Sequence, residues 1–422
     1  MFPLSRMLKA VIRVGTLNLI DASGRTHVFG GTPGPVVTAR LTGRSPMSLL
    51  LNPALSVGEA YMDGSLTFEN STLRDALTLF AVNRSSFGSY PLQKVVSRAR
   101  RGLRRFRQAN PVGKAEKNVA HHYDIGNDFY KLFLDEGMQY SCAYFLSDDD
   151  SLEQAQQNKL NLIAAKLRLA AGQKILDIGS GWGTLALHLA KIENVEVTGV
   201  TLSKEQHALA TETAERAGLS NRVRFELRDY REIGDRFDRI VSIGMFEHVG
   251  VPHYDEFFAK VDALLADDGI MLLHSIGHMR PPTSTSPWIG KYIFPGAYGP
   301  ALSEVTAATE RAGLWVTDIE ILRLHYARTL REWGRRFEEN RAQVAAMYDE
   351  RFCRMWEFYL VSAEMMFDSG SNHVFQMQLA RHAGAAPIVR DYMVDEQRAY
   401  RANAAPMVEP APSAAGTIGQ AG

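Results

Sequence analysis

Between Lys174 and Ile276 short apolar runs alternate with amphipathic stretches, and no other feature constrains the fold as much. "KILDIGS", "VEVTGVT", "RVRFELRD", "FDRIVSI" and "GIMLLHSI" read as strands, and "WGTLALHLAKI", "SKEQHALATETAERAG" and "HYDEFFAKVDALLA" read as helices between them. Strands that alternate with helices join side by side in parallel, because a crossover helix must return the chain to the same edge. The expected fold class is therefore α/β, with a doubly wound, Rossmann-like sheet. Two long helical stretches rich in aromatics and Met, near 329–346 and 350–369, are expected as insertions beside it.

The first strand runs into "ILDIGSGWG", which places Asp177 at the strand end and Gly179, Gly181 and Gly183 in the turn before a helix. Glycines let the backbone approach a ligand closely, and a helix amino terminus follows. A dinucleotide fingerprint spaces its glycines as G-x-G-x-x-G; here the third comes one place early and an acidic residue precedes the turn. That pattern suits S-adenosylmethionine (AdoMet), whose ammonium and ribose need no pyrophosphate cradle. The second strand ends "GVTLSKEQ", without the usual acid for ribose hydroxyls, which leaves Thr201, Leu202 and Gln206 as contacts. After the third strand, Asp229 could accept from an adenine amino group and Tyr230 could cover the ring, although Asp229 also fits a plain turn residue.

Around this core the chain divides into a small mixed domain over 1–90, a basic linker over 91–118, a catalytic domain over 119–402 and a disordered tail over 403–422. The first segment holds a hairpin signal, "TLNLIDASGRTHVFG", a strand "VVTARLTG", and a helix "STLRDALTLFAVN" for which Ser71 is the expected cap. The linker carries Lys94, Arg98, Arg100, Arg101, Arg104, Arg105 and Arg107, and reads either as a solvated connection or as a contact for anionic lipid headgroups. Lys+Arg and Asp+Glu both total 47, so overall charge gives no reason to expect a nucleic-acid partner, and Phe106 alone offers stacking in the basic run. Two cysteines, Cys142 and Cys353, build no disulfide framework and fit a reducing cytoplasm. No window approaches a spanning helix, so any membrane contact is expected to be peripheral.

"FDRIVSIGMFEHVG" raises a chemical question, because Glu247 and His248 follow directly on a strand with six apolar residues in its first ten. Read alone, either Glu247 or a nearby histidine could act as a base in a greasy pocket. No compact metal-ligand spacing such as H-E-x-x-H occurs, and no metal is expected.

Several segments together resemble the cyclopropane-fatty-acyl-phospholipid synthases and their mycolic-acid relatives. They are "HYDIGNDFYKLFLD", "MQYSCAYF", "LDIGSGWG", "GVTLSKEQ", "IGMFEHVG", "HSIG", "KYIFPG" and "HYARTLREW", in order from His122 to Trp333. "LSVGEAYMDGSL" also looks like the N-terminal domain of two-domain bacterial members. Ser180 departs from the Cys usual in the family, at a turn position that contributes mainly backbone.

The resemblance implies transfer of the AdoMet methyl group to a cis double bond of a phospholipid acyl chain at the membrane surface, followed by closure of a three-membered ring. It implies a bound bicarbonate as the base, held by Cys142, the backbone of Ile243, Glu247, His274 and Tyr326. It implies that Tyr140 and Ser141 contact the methionine part of AdoMet, that Tyr123 and Asp124 close over the cofactor, and that the protein is a homodimer. Trp288, Tyr292, Phe294, Trp333, Phe337, Met355, Trp356 and Phe367 are candidates for the acyl-chain pocket. Taken singly, Cys142 fits a small buried residue, His274 a core histidine and Tyr326 a strand cap. Loss of a different proton from the same cation would give a methylene-branched chain, and a non-catalytic lipid-binding protein is the rival outside enzymes.

Overall fold

The computed structural model describes residues 2–43, 46–91 and 125–403. The expected basic linker from 92 onward, the tail from 404, and His121, His122, Tyr123 and Asp124 lie outside the described residues.

Near the N-terminus, β1 (Val14–Ile20), β2 (Thr26–Gly30), β3 (Thr32–Leu41) and β4 (Leu66–Glu69) form a sheet in the order β2-β1-β3-β4. The expected hairpin is present as the antiparallel β1–β2 pair, with Thr16 opposite Gly30 and Ile20 opposite Thr26. Buried and half-buried residues alternate along β1, so one face packs on a core that includes Leu4, Met7, Val11, Val37 and Leu79. The cap of the helix Leu73–Val82 is Thr72, not Ser71. Thr72 Oγ1 accepts from the Asp75 N–H at 3.1 Å, while the Asp75 carboxylate accepts from the Thr72 N–H at 2.8 Å, a reciprocal capping box. Ser71 is drawn away by the sheet: its Oγ accepts from the Thr38 N–H at 3.1 Å.

The second sheet contains β5 (Lys174–Ile178), β6 (Glu196–Thr201), β7 (Val223–Leu227), β8 (Phe237–Ile243), β9 (Leu265–His278), β10 (Trp315–Ile321) and β11 (Asn372–Ala380). Its order is β10-β11-β9-β8-β5-β6-β7; β5 to β9 are parallel, and β11 runs antiparallel to both of its neighbours. This is the expected doubly wound, Rossmann-like sheet. Order reverses at β5, and the crevice beyond the carboxyl ends of β5, β6 and β8 is where such sheets take ligands. Strands β5 and β6 are buried on both faces after their first residue, which explains why neither shows the polar/apolar alternation of a half-exposed strand.

The aromatic stretches form three helices rather than two. His325–Glu339 begins before the expected boundary, Asn340 breaks it from Arg341–Met347, and Glu350–Asp368 follows. Asn340 Nδ2 donates to the Leu132 and Arg336 carbonyls, both at 3.0 Å, and so fixes the break against the loop before the site.

The last of these helices also meets the N-terminal unit. The buried Glu364 carboxylate accepts from Arg74 at 2.8 Å and from Arg331 at 2.9 Å. Gly58 lies so close to Trp288 that a Cβ there would stand 2.4 Å from the indole nitrogen. Trp288 donates to Met62 Sδ at 3.3 Å, and Tyr292 donates to Glu59 at 2.8 Å. Both aromatics, expected in an acyl pocket, thus engage the N-terminal unit.

Candidate active site

The cofactor end is built by the three strands that the sequence made most legible. Asp177 is buried just before the glycine turn, burial pushes its carboxyl up to about 7, and its Oδ2 has no hydrogen-bond partner. The N–H groups of Gly179 and Ser180 donate to the Val200 carbonyl at 2.9 and 3.0 Å and fold the turn over β6. Gly183 caps the helix Thr184–Ile192 at φ +88°, and a Cβ there would stand 2.6 Å from the Phe225 ring. At the end of β6, Thr201 Oγ1 donates to Gln206 Oε1 at 3.0 Å, and Ser203 caps the following helix by accepting from the Gln206 N–H. Leu202, between them, is half-buried.

Asp229 is already engaged, since Arg231 donates to its two oxygens at 2.9 and 2.7 Å. An adenine amino group would share this carboxylate with Arg231. Tyr230 is half-buried and edge-on to Phe257 at 5.5 Å.

A polar layer absent from the sequence expectations lies beside this turn. In the helix Leu152–Leu167, Gln156, Asn158, Lys159, Asn161 and Lys166 are all buried. Gln156 Nε2 donates to the carbonyls of Gln139 and Ser141, both at 3.1 Å, while the side-chain oxygens of Gln156 and Gln139 have no partner. Lys159 Nζ donates to Ser141 Oγ at 2.7 Å. Burial lowers the Lys159 ammonium to about 8 against the opposing pull of Asp135 and Cys142. The signal in the sequence was the run of amides and lysines within a helix that must cover a sheet.

Orphaned acceptors of this kind suit a bound ammonium. The free Asp177 oxygen beside the glycine turn fits AdoMet in this respect, whereas Thr201 and Gln206 are bonded to each other.

The second half of the site is assembled across the chain. Ile243 ends β8 directly beside His274 of β9, and the Gly244 N–H donates to the His274 carbonyl at 2.9 Å. Glu247 follows on a short turn of 3₁₀ helix, Phe246–His248. Its Oε1 accepts from the Ile276 N–H at 2.6 Å, while its buried Oε2 has no partner. Burial raises this carboxyl to about 7, opposed by the Ile276 hydrogen bond. The neighbouring His248 ring packs edge-on to Phe294 at 6.1 Å. Burial lowers His274 to about 3, assisted by the charges of Lys159 and Lys166.

Cys142 and Tyr326 are buried in one apolar cluster that also holds Trp333, Trp356, Phe337 and Phe367, with Tyr140, Phe294 and Ile276 packed against it. Tyr140 donates from its hydroxyl to the Tyr359 hydroxyl at 2.9 Å and lies 5.1 Å from the Trp333 ring. Tyr326 is inside a helix rather than capping a strand, with Phe367 at 4.6 Å and Trp333 at 5.8 Å. Desolvation drives the Cys142 thiol well above its ordinary range, so it serves as a neutral group. The fold thus brings Glu247 and His274, through the strand that carries Ile276, to the edge of an aromatic chamber. Such a chamber excludes water and offers ring faces to a passing cation. Among the described residues, no three His, Cys, Asp or Glu side chains gather as a metal cradle.

Comparison with known proteins agrees with this geometry. The family model described as mycolic acid cyclopropane synthetase matches residues 112–377. The cyclopropane-fatty-acyl-phospholipid synthase of Escherichia coli (strain K12) is 39% identical over 339 residues, covering 79% of this chain and 85% of that protein. A probable fatty acid methyltransferase of Pseudomonas putida is 34% identical over 353 residues, covering 82% and 87% of the two chains. Among solved structures, mycolic acid cyclopropane synthase CmaA1, complexed with S-adenosylhomocysteine (SAH) and CTAB, aligns with a TM-score of 0.60 at 35% identity, over 63% of this chain and 97% of that one. The chain belongs to the mycolic acid cyclopropane synthetase family and carries the AdoMet-methyltransferase fold of its members.

Proposed function

We propose that this enzyme transfers the AdoMet methyl group to a cis double bond in a phospholipid acyl chain and closes a cyclopropane ring. The observation that carries this reading is Glu247, a buried carboxylate with one free oxygen at the rim of an aromatic chamber. An alkene is a weak nucleophile, so the protein must chiefly orient it against the methyl group and keep water out. AdoMet supplies the methyl group. The aromatic faces of Tyr140, Trp333, Tyr326 and Phe367 suit the carbocation that follows. Ring closure requires removal of a proton from the added methyl group.

A bicarbonate ion fits as the base. Glu247 Oε2 accepts from its hydroxyl, His274 and Tyr326 donate to its other oxygens, and Cys142 and the Ile243 backbone complete the contacts. Ser141, held by Lys159, and Tyr140 face the methionine part of AdoMet.

The chain works from the membrane surface on the cytoplasmic side, where its phospholipid substrate is presented. Among the described residues no helix is long and apolar enough to span a bilayer. The first 90 residues form a unit for lipid or partner contact, residues 91–118 contact anionic headgroups, and the enzyme is a homodimer. Analytical ultracentrifugation tests the last point, and a monomer at micromolar concentration would refute it.

Proton NMR of lipid recovered after incubation with AdoMet and cis-monounsaturated phospholipid vesicles tests the reaction. Upfield ring protons are expected. Vinylidene protons would replace the ring with a methylene branch, a real rival since one relative is named only a probable fatty acid methyltransferase. Unaltered lipid with AdoMet bound would contradict the catalytic reading.

A further inference from the structure

Gln376 of β11 lies directly opposite His274 of β9 in their antiparallel pairing, and both side chains are buried. The Gln376 amide oxygen accepts from Lys166 Nζ at 2.7 Å. An ammonium has only protons to offer, so it must face the oxygen end of the amide. The NH₂ end is thereby turned toward His274 Nδ1, 3.2 Å away. Two donors cannot face one another, so Nδ1 presents its lone pair and the single proton of the neutral ring belongs on Nε2. We propose that Lys166 and Gln376 are positioning residues that lock His274 as the Nε2–H tautomer, so that the ring enters the site as a hydrogen-bond donor and not as a base.

The wiring is costly enough to need a purpose. Lys166 is 1% exposed, and a buried ammonium is tolerated only when paired and hydrogen-bonded. Glu320 supplies the counter-charge, Gln376 takes a second ammonium proton, and Gln378 Nε2 donates to the Lys166 carbonyl at 2.6 Å. An apolar residue would fill the same space without this arrangement. The consequence bears on the choice left open by the residues alone: a ring fixed as an Nε2–H donor can hold an oxyanion but cannot take the proton from a methyl group. Proton removal then falls to the anion beside Glu247. This inference rests on the assignment of His274 to the reaction site.

Histidine-selective ¹⁵N labelling of the full chain, with His274 identified among the 12 histidines by its loss in His274→Asn, reads the tautomer directly. The expected wild-type spectrum shows the proton on Nε2. In Gln376→Glu the carboxylate can only accept, so the proton should move to Nδ1, with turnover falling about tenfold to a hundredfold and AdoMet affinity unchanged. Lys166→Met frees the amide to turn and should give a mixture of tautomers. A wild-type proton on Nδ1, or a wild-type mixture, would overturn the relay, and that reading needs no variant to fold and no lipid or bicarbonate. A tautomer switch in Gln376→Glu with turnover unchanged would instead remove both the positioning role and the place of His274 in the reaction.

Discussion

At the β5–β6–β7 end of the crevice, polar side chains bond to close neighbours in sequence; at the β8–β9–β11 end they bond across the chain. Thr201 meets Gln206 five residues on, and Asp229 meets Arg231 two residues on. By contrast, Gln376 reaches His274 over 102 residues and Tyr140 reaches Tyr359 over 219. The two ends also differ in what is left over. Apart from Asp177, the polar cofactor candidates that follow β6 and β7, Thr201, Gln206 and Asp229, come with local partners, as suits a surface that must hold a polar ligand in one pose. The other end keeps a carboxylate oxygen unpaired inside an aromatic wall, where low polarity strengthens each electrostatic contact. Binding can be written in a local motif, whereas this chemistry had to be assembled by the fold.

The largest expected effect lies at the assembled end. Glu247→Gln keeps the volume and the bond to the Ile276 N–H but cannot accept in the same way, and ring formation should fall by about 10²–10⁴-fold. NMR of the lipid product measures the loss, and calorimetric titration should show AdoMet binding intact. If ring formation and AdoMet binding both survive, the assignment of Glu247 is wrong.

Next in size is a pH effect shared by both ends. Folding raises Glu247 from 4.5 to about 7 and Asp177 from 3.8 to about 7, in each case through burial. The folded state therefore holds more protons than the unfolded chain between those values, and stability falls as pH rises from about 4 to about 7. Glu247 contributes about 3 kcal/mol and Asp177 about 4 kcal/mol to the fall. Denaturant unfolding across this range, compared between wild type and Glu247→Gln, should show a shallower slope in the variant. Identical slopes would mean that Glu247 titrates as if exposed.

The smallest effect is expected at the local end. Asp177→Asn removes charge while leaving the turn in place, and AdoMet affinity should drop about tenfold. Unchanged affinity would move the ammonium to the orphaned oxygens of Gln139 and Gln156.

The same contrast explains what the residues disclosed. The alternation of strands and helices, the glycine turn and the β1–β2 hairpin follow from patterns within a few residues, and they stood out in the sequence. Ser71 and Thr72 are both capable caps, and only the Thr38 N–H decides between them, a partner from another strand. Cys142, Glu247, His274 and Tyr326 were nameable through resemblance, since nothing in the local sequence around Cys142 announces that it will share a chamber with Tyr326. Lys166 and Gln376 escaped altogether: a lysine in a helix reads as solvated until the sheet that buries it is known. Trp288 and Tyr292, pocket candidates in the sequence, also reach Met62 and Glu59 of the N-terminal unit, contacts that no local pattern announced.

The most direct test of the assembled site is ring formation in buffer freed of carbon dioxide. Wild-type enzyme with AdoMet and cis-monounsaturated vesicles should lose activity as bicarbonate is removed and regain it when bicarbonate is restored, with AdoMet binding constant throughout. Glu247→Gln should gain little from the added ion. Full ring formation without bicarbonate would contradict the proposed base and return proton removal to a protein side chain.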